Sequence, residues 1–349
     1  MLRFSYYTRA PVLWDWLHKS RSVVLMYHGI TSRSAYSGVE NYHGFNLPVG
    51  ELERQLEYLR KRCNPISLQD LLAGRGLSRS RTNVVVTFDD GYGNNYGNAF
   101  PLLSRFEVPA VFALTTGFIA DSQPLWNDVI EHVVQNCSRS EVCMRWDGET
   151  RDFVLRGFEG RLALYNWLMA LAVRIPQERR DELLEHVALE LGTPACMAEI
   201  LAREDYRPMT PDQIRSMSSS GLIEFASHSV HHYLLSKLAP AKRSFELSES
   251  KRMIEAWSGS PCTTFCVPGG AYDDDVLERA RGAGYVSVLT SDVGAVRPGS
   301  VTMNRNGIFN GRGIHWYADL VHGPVHTVVA RARRTRARIR SKLRSRAVA

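Results

Sequence analysis

Asn83-Val84-Val85-Val86-Thr87-Phe88-Asp89-Asp90-Gly91 is a short run of β-branched and aromatic residues that stops at two carboxylates and a glycine. A continuous apolar run of this length marks a strand buried on both faces, as in a parallel sheet. The same grammar recurs on either side. Upstream, Val23-Val24-Leu25-Met26-Tyr27 ends at His28-Gly29, and Leu47 to Arg62 follows with Leu52, Leu56 and Leu59 at helical spacing after Pro48. Downstream, Asn98 to Phe106 reads as a helix and Ala110 to Thr115 as a third strand. Residues 121–207 then read as helices, with 3.6-residue spacing in Trp126 to Val134, Leu162 to Val173 and Arg179 to Leu191. After Pro208 the alternation returns: a helix start at Thr210-Pro211, strand Leu222 to Ala226, helix Pro240 to Trp257, strand Thr263 to Val267, helix Asp274 to Ala283 and strand Tyr285 to Thr290. Strands alternating with helices indicate parallel βαβ units. The expected class is α/β, a barrel-like body over residues 21–326 with a helical insertion at about 121–207, between its third and fourth units.

Composition narrows the function classes. The chain has 349 residues, 44% apolar and 23% charged, which fits one large domain or two ordinary ones and excludes wholesale disorder. The longest apolar runs, such as Val108 to Thr116, fall far short of the ~20 residues of a spanning helix. Met1 to Ser22 carries Arg3, Arg9, Asp15, Lys19 and Arg21 with no continuous apolar core, so no secretion signal is expected. Six cysteines form no CxxC pair, and a reduced, cytoplasmic setting is expected. The net charge of +7 is concentrated at one end. Residues 327–349 hold eight arginines and one lysine with no acid, leaving 34 basic against 36 acidic residues before them. That tail is a candidate contact for anionic lipid. The near-neutral body argues against nucleic acid as the main partner. Residues 1–20 form a separate segment with Phe4, Tyr6, Tyr7, Trp14 and Trp16, suited to packing beneath the barrel or to a lipid interface.

On a continuing strand Asp89 and Asp90 would face opposite sides. Both serve one site only if the strand ends there, and Gly91 offers the permissive turn. Strand C-terminal ends are where α/β sites form, so a metal ligand beside a general base fits this edge. His228-Ser229-Val230-His231-His232 also follows an apolar strand. His228 and His232, four apart, converge on one ion if a helical turn follows, with His231 pointing elsewhere. One Asp and two His leave open positions for water, the pattern of a catalytic metal site.

Thr-Phe-Asp-Asp-Gly followed by His-Ser-x-x-His resembles the first two motifs of the polysaccharide deacetylase (NodB-homology) family. The likeness extends to Val24-Leu25-Met26-Tyr27-His28, to Asn98-Ala99-Phe100-Pro101-Leu102-Leu103 and to Phe265-Cys266-Val267-Pro268-Gly269-Gly270-Ala271-Tyr272-Asp273. It implies a distorted (β/α) barrel and metal-dependent removal of acetyl groups from sugars, with Zn²⁺ as the expected divalent metal. Carried over by position, Asp89 is the base, Asp90, His228 and His232 are the metal ligands, and Ser229 supports them. The oxyanion of acetamide hydrolysis needs a backbone N–H, for which Gly269 is the candidate; a plain turn is the alternative. Many members carry an arginine where this chain has Cys266 and a tyrosine where it has Gly269. Arg305, in Met303-Asn304-Arg305-Asn306, is the candidate replacement for that charge. The family's late Leu-His motif, source of the general acid, has no clean match; His322, His315 and His326 are candidates. The insertion's Pro124-Leu125-Trp126-Asn127-Asp128 resembles a Trp-containing helix of some members.

The expected activity is deacetylation of an N-acetylated sugar in a surface polysaccharide or its lipid-linked precursor. Hydrolysis of a non-sugar amide, an inactive carbohydrate-binding module and a nucleic-acid binder using the tail are the alternatives.

Overall fold

The computed structural model describes residues 21–193 and 197–323. The aromatic segment 1–20, the tail 327–349 and His326 lie outside the described residues.

The strands are β1 Ser22–Tyr27, β2 Asn83–Phe88, β3 Ala110–Leu114, β4 Ile223–Ser227, β5 Thr264–Cys266, β6 Ser287–Leu289, β7 Thr302–Met303 and β8 Asn306–Gly307. They form one parallel sheet in the order β7-β6-β5-β4-β3-β2-β1-β8, with Asn64–Pro65 pairing beside β2. The two-residue strands β7 and β8 were below the length that periodicity detects. They occupy opposite ends of the order, yet only Asn304 and Arg305 separate them. Three Cα steps span at most about 11 Å, so the sheet must curl until its edges meet. Asn306 seals the seam: its Nδ2 donates to Val24 O at 3.3 Å and Gly294 O at 3.0 Å, and its Oδ1 accepts from Gly294 N at 3.1 Å.

Strand alternation separates two cores. Val84, Val86 and Phe88 of β2 pack outward beneath helices, with Leu52, Leu56 and Leu59 of α1 (Val49–Arg62) and Leu247 of a later helix. Val85 faces the other way, with Val24, Val111, Ala113, Ala226, Cys266, Leu289 and Met303. Most of these inward residues, Val24, Val85, Val111, Ala113, Ala226 and Cys266, are short. Leu68 and Leu71 of the Leu68–Ala73 helix join the same cluster. Glu224 accepts the backbone N–H of Leu68 at 3.0 Å and holds that helix start.

The segment between β3 and β4 is not wholly helical. It contains α2 Trp126–Asn136, α3 Phe158–Arg174 and α4 Arg180–Leu191, but also an antiparallel hairpin, Glu141–Trp146 with Glu149–Val154. Val142, Met144 and Trp146 are buried while Glu141 and Arg145 are exposed, a period-2 pattern of a half-buried strand. Asp147-Gly148, both at positive φ, is the tight-turn signal that a helical reading of 121–207 passes over. Helices and hairpin share a cluster of their own, including Val129, Val133, Trp146, Phe153, Leu164 and Leu168. No helix among the described residues is long and apolar enough to cross a membrane.

Asn306→Ala removes all three seam hydrogen bonds and strands a buried carbonyl and N–H. A loss of about 2–4 kcal/mol in stability is expected, measured by denaturant unfolding; a loss below about 1 kcal/mol would mean that the edges are held elsewhere.

Candidate metal centre

Asp89, the first residue after β2, extends that strand's hydrogen bonding to β1 by donating its N–H to Tyr27 O at 2.9 Å. Asp90 turns away, because its φ is 76° and that of Gly91 is 91°. The left-handed turn thus begins at Asp90 itself, one residue earlier than Gly91 alone would place it. Aspartate is among the few non-glycine residues that enter this region readily. Thr115 N donates to Asp90 O and Met209 N to Gly91 O, so β3 and the segment after the insertion fix the turn. Two neighbouring carboxylates thereby reach one pocket.

The histidines converge differently from the expected helical turn. No helical turn forms over His228–His232; Ser229 and His232 adopt φ of 64° and 53°, and these two left-handed residues fold the loop back. Glu246, fully buried, accepts the N–H groups of Val230 and His231 and pairs with His231 Nδ1 at 2.6 Å. His231 is therefore turned away. Ser229 Oγ accepts from His232 N at 3.1 Å. His228 and His232 each bring Nε2 to 3.5 Å from Asp90 Oδ1, and ligand atoms of all three lie within 4.8 Å of one another.

Tautomers follow from the outer contacts. His228 Nδ1 donates to Cys266 O at 2.8 Å, which leaves a lone pair on Nε2 facing the site. His232 Nδ1 meets the indole N–H of Trp126 at 3.2 Å and so accepts, placing its proton on Nε2 toward Asp90. To offer Nε2 to a cation, His232 must shift that proton to Nδ1 and Trp126 must turn. Arg180 holds the same loop through His231 O at 2.9 Å and His232 O at 3.2 Å. Both Trp126 and Arg180 come from the insertion.

Arg305 descends from the seam into the barrel. It is fully buried, with Nη1 2.6 Å from Asp89 Oδ1 and Nε donating to Thr290 O at 3.0 Å. Gly269, itself exposed, lies one strand from His228 in the turn Pro268–Gly270 at φ 57°, where a Cβ would fall 2.6 Å from Leu234. His322 is not at this edge. Its Nδ1 contacts Thr82 Oγ1 at 3.2 Å, just before β2 begins, so roughly the full length of β2 separates it from Asp89, about 20 Å at the usual rise. His315 lies in the first turn of α5 (Gly313–His322), which packs against α1. The imidazole that sequence reasoning left without a role is His28. It follows β1, next to β2, and interacts with Asp89, Arg305 and His228. Its place after an apolar strand was the available signal.

Charge in this pocket is uneven. Burial pushes Asp89 upward, but Arg305, His228 and His28 outweigh it and hold the carboxyl at about 2. Asp90 goes the other way, raised well above the usual range by burial and then by Asp89. Asp90 Oδ1 is buried without a hydrogen-bond partner. An orphaned oxygen facing two imidazole nitrogens fits a divalent cation: one carboxylate and two histidines suit zinc and leave positions open.

Burial lowers His28 to about 4, although Asp89 pulls the other way. Between that value and the ordinary 6.5 the unfolded chain binds the extra proton, so stability falls as pH falls through this window. In metal-stripped protein, His28→Gln is expected to lower that slope by close to one proton, measured by chemical denaturation from pH 4.5 to 7. An unchanged slope would assign the effect to His228 and His232, which burial also lowers.

Comparison with known proteins bears on the family and the fold. Residues 77–144 and 190–288 match the family described as Polysaccharide deacetylase, stretches that hold Asp89, Asp90, His228, His232 and Gly269. A putative polysaccharide deacetylase of Bacillus subtilis (strain 168), YxkH, is 29% identical over 87 residues, covering 25% of this chain and 31% of that protein. The chain thus matches under a third of that relative's length. Among solved structures, the Streptococcus pyogenes deacetylase PplD in complex with acetate aligns at 16% identity and TM-score 0.55, over 87% of this chain and 99% of that one. IcaB from Ammonifex degensii aligns at 19% identity and TM-score 0.54, over 87% and 98%. At these identities the structural likeness is one of fold. By sequence over these two stretches, and by fold over most of the described residues, the chain is similar to the polysaccharide deacetylases.

Proposed function

We propose that this protein is a metal-dependent deacetylase of N-acetylated sugars in a surface polysaccharide or its lipid-linked precursor. The observation that carries the reading is the convergence of Asp90, His228 and His232 beside a separate carboxylate, Asp89, locked to a buried arginine. Asp90, His228 and His232 would hold the cation, zinc by ligand type. A divalent cation there supplies Lewis-acid polarisation and an acidified water.

The remaining steps belong to side chains. Asp89, ionised at any ordinary pH, takes a proton from the attacking water as the acetamide carbonyl is opened. Arg305 keeps that carboxylate oriented and charged. Gly269 N–H is the candidate donor to the oxyanion, at an exposed position in the turn after β5. With His322 at the opposite end of the barrel, the group placed to pass a proton to the departing amine is Asp89 itself. A carboxyl held near 2 releases its proton readily. His28, neutral at pH 7, borders that path and offers a polar edge to the substrate.

Asp89→Asn is expected to retain one equivalent of zinc and lose about 10²–10⁴-fold in acetate release, whereas the His228→Ala, His232→Ala double variant should lose the metal and stay folded. Elemental analysis with acetate assay on N-acetylated glycans separates the two. Full metal occupancy in the double variant, or near-normal turnover in Asp89→Asn, would sink the assignment.

The lipid-linked form of the substrate is supported by the nine cationic side chains between Arg331 and Arg346. Polybasic segments gain roughly 1 kcal/mol per residue at an anionic leaflet, weakened by salt. The full chain is expected to co-sediment with anionic but not neutral vesicles, and deletion of 327–349 should abolish this. Equal binding to both vesicle types rejects the membrane contact.

A further inference from the structure

Charge is unevenly placed on the folded body. Residues 21–323 hold 31 basic against 35 acidic residues, but exposed cations gather at one end of the barrel. Arg60, Lys61 and Arg62 close α1, directly before Asn64–Pro65, which pairs with the first two residues of β2. Residues 71–82, leading into β2, contain Arg75, Arg79 and Arg81 and no acid. Asn83, the first residue of β2, holds that segment by accepting from Ser78 N at 2.8 Å. Arg297 reaches the same end from the loop before β7. Its neighbour Val296 donates its N–H to O of Ser22, the first residue of β1, at 2.9 Å. All seven cations are exposed. Three have carboxylate partners: Arg60 with Glu107, Lys61 with Glu57 and Arg75 with Asp70. Arg62, Arg79, Arg81 and Arg297 form no ion pair among the described residues. The preference for cations in the last turn of a helix accounts for Arg60 to Arg62 and for none of the others.

Both ends of the described chain lie at this face. Arg21, just before β1, donates from Nη1 to Gly323 O at 3.4 Å, and Gly323 directly follows α5. Residues 324–349, with nine cations and no acid, therefore continue from the cationic face. Residues 1–20, with Phe4, Tyr6, Tyr7, Trp14 and Trp16, lead into it. Cations beside aromatic residues match the headgroup region of an anionic leaflet. The metal centre stands at the other end of the strands, about 20 Å away at the usual rise over β2.

We propose that the N-terminal end of the barrel is a membrane-facing surface, resting on anionic headgroups with the metal centre turned away from the leaflet. The inference rests on the membrane contact proposed for the tail. The tail supplies most of the attraction, with nine cations against the four unpaired ones of the face. The face decides which way up the barrel lies. A lipid-linked substrate must then carry its acetylated sugar about 20 Å clear of the headgroups to reach the metal centre.

The test is binding of the full chain to vesicles of equimolar phosphatidylcholine and phosphatidylserine. A variant combining Arg62→Gln, Arg79→Gln and Arg297→Gln should bind at least about tenfold more weakly, since each basic residue near such a surface contributes roughly fivefold before screening. A control with the same loss of charge on the insertion hairpin, Arg145→Gln, Arg151→Gln and Arg156→Gln, should bind as the wild type does. Unchanged denaturation midpoints confirm that both variants fold. Orientation is read by energy transfer to a headgroup-labelled lipid from a single dye in a Cys143→Ser background. The dye sits on Ser80→Cys, between Arg79 and Arg81, or on Gln123→Cys, beside Trp126 and His231. Transfer from position 80 should be the stronger. Equal weakening by the two triple variants, or equal transfer from the two dyes, overturns the proposal. Displacement of the vesicles by duplex DNA at equal phosphate concentration would give the face to nucleic acid and overturn it too. No binding of the wild type removes the tail's membrane contact and this face together; wild-type binding that the first triple variant leaves unchanged removes the face alone.

Discussion

A fully buried arginine facing a fully buried carboxylate organises this molecule. Neither charge is tolerated alone in an apolar interior, and removing one partner of such a pair typically costs about 3–5 kcal/mol. The barrel is arranged to make the pair possible. Most inward residues, Val85, Val111, Ala113, Ala226 and Cys266 among them, are short. The seam between β7 and β8 supplies the long side chain, since the two residues bridging the edges include the arginine. Barrel closure and the low pKa of Asp89 are therefore one event. The charge that the family resemblance leads one to expect at the position of Cys266 thus arrives from the seam, and the Cys266 backbone orients His228 through its carbonyl.

Much of this could be read from residue order, and the limits have physical causes. The six longer strands were legible because strands buried on both faces are continuously apolar, and Asn83–Phe88 came out with its observed bounds. Asp89, Asp90, His228 and His232 were legible because each pair stands directly after such a strand. Less visible were features made by backbone angle or by meetings between distant segments. The left-handed turn at Asp90 and the helix-free fold of His228–His232 depend on φ values that composition does not specify. The contact of Arg305 with Asp89 joins residues far apart in the chain and needs the curl of the sheet. The 141–154 hairpin was hidden among helical periodicities, although Asp147-Gly148 marked it. His322 was misplaced because sequence order does not say at which end of the barrel a helix finishes.

The insertion is more than a cap. Trp126 touches His232, Tyr92 just after the paired aspartates donates to Asp128 of α2 at 3.0 Å, and Arg180 grips the carbonyls of His231 and His232. Arg180 also lies over the rings of Trp126 and Tyr233. Its charge is compensated by oriented carbonyls and ring faces more than by a carboxylate, and burial lowers its pKa to about 10. The insertion thus has a direct mechanical hold on one candidate ligand, while the barrel alone positions the other two.

Three residues with side chains, Asp90, Ser229 and His232, hold left-handed backbone angles at one pocket. Conformations of this kind cost on the order of 1–3 kcal/mol each, and the surrounding fold carries that load. A population of variants selected only for resistance to heat would be drawn toward glycine at these positions, since glycine relieves the angle without penalty. Every such step would delete a carboxylate, a hydroxyl that caps the loop, or an imidazole. For this protein, thermal selection and retention of the pocket pull in opposite directions, and any stabilised lineage that keeps the pocket must have found its gains elsewhere in the barrel.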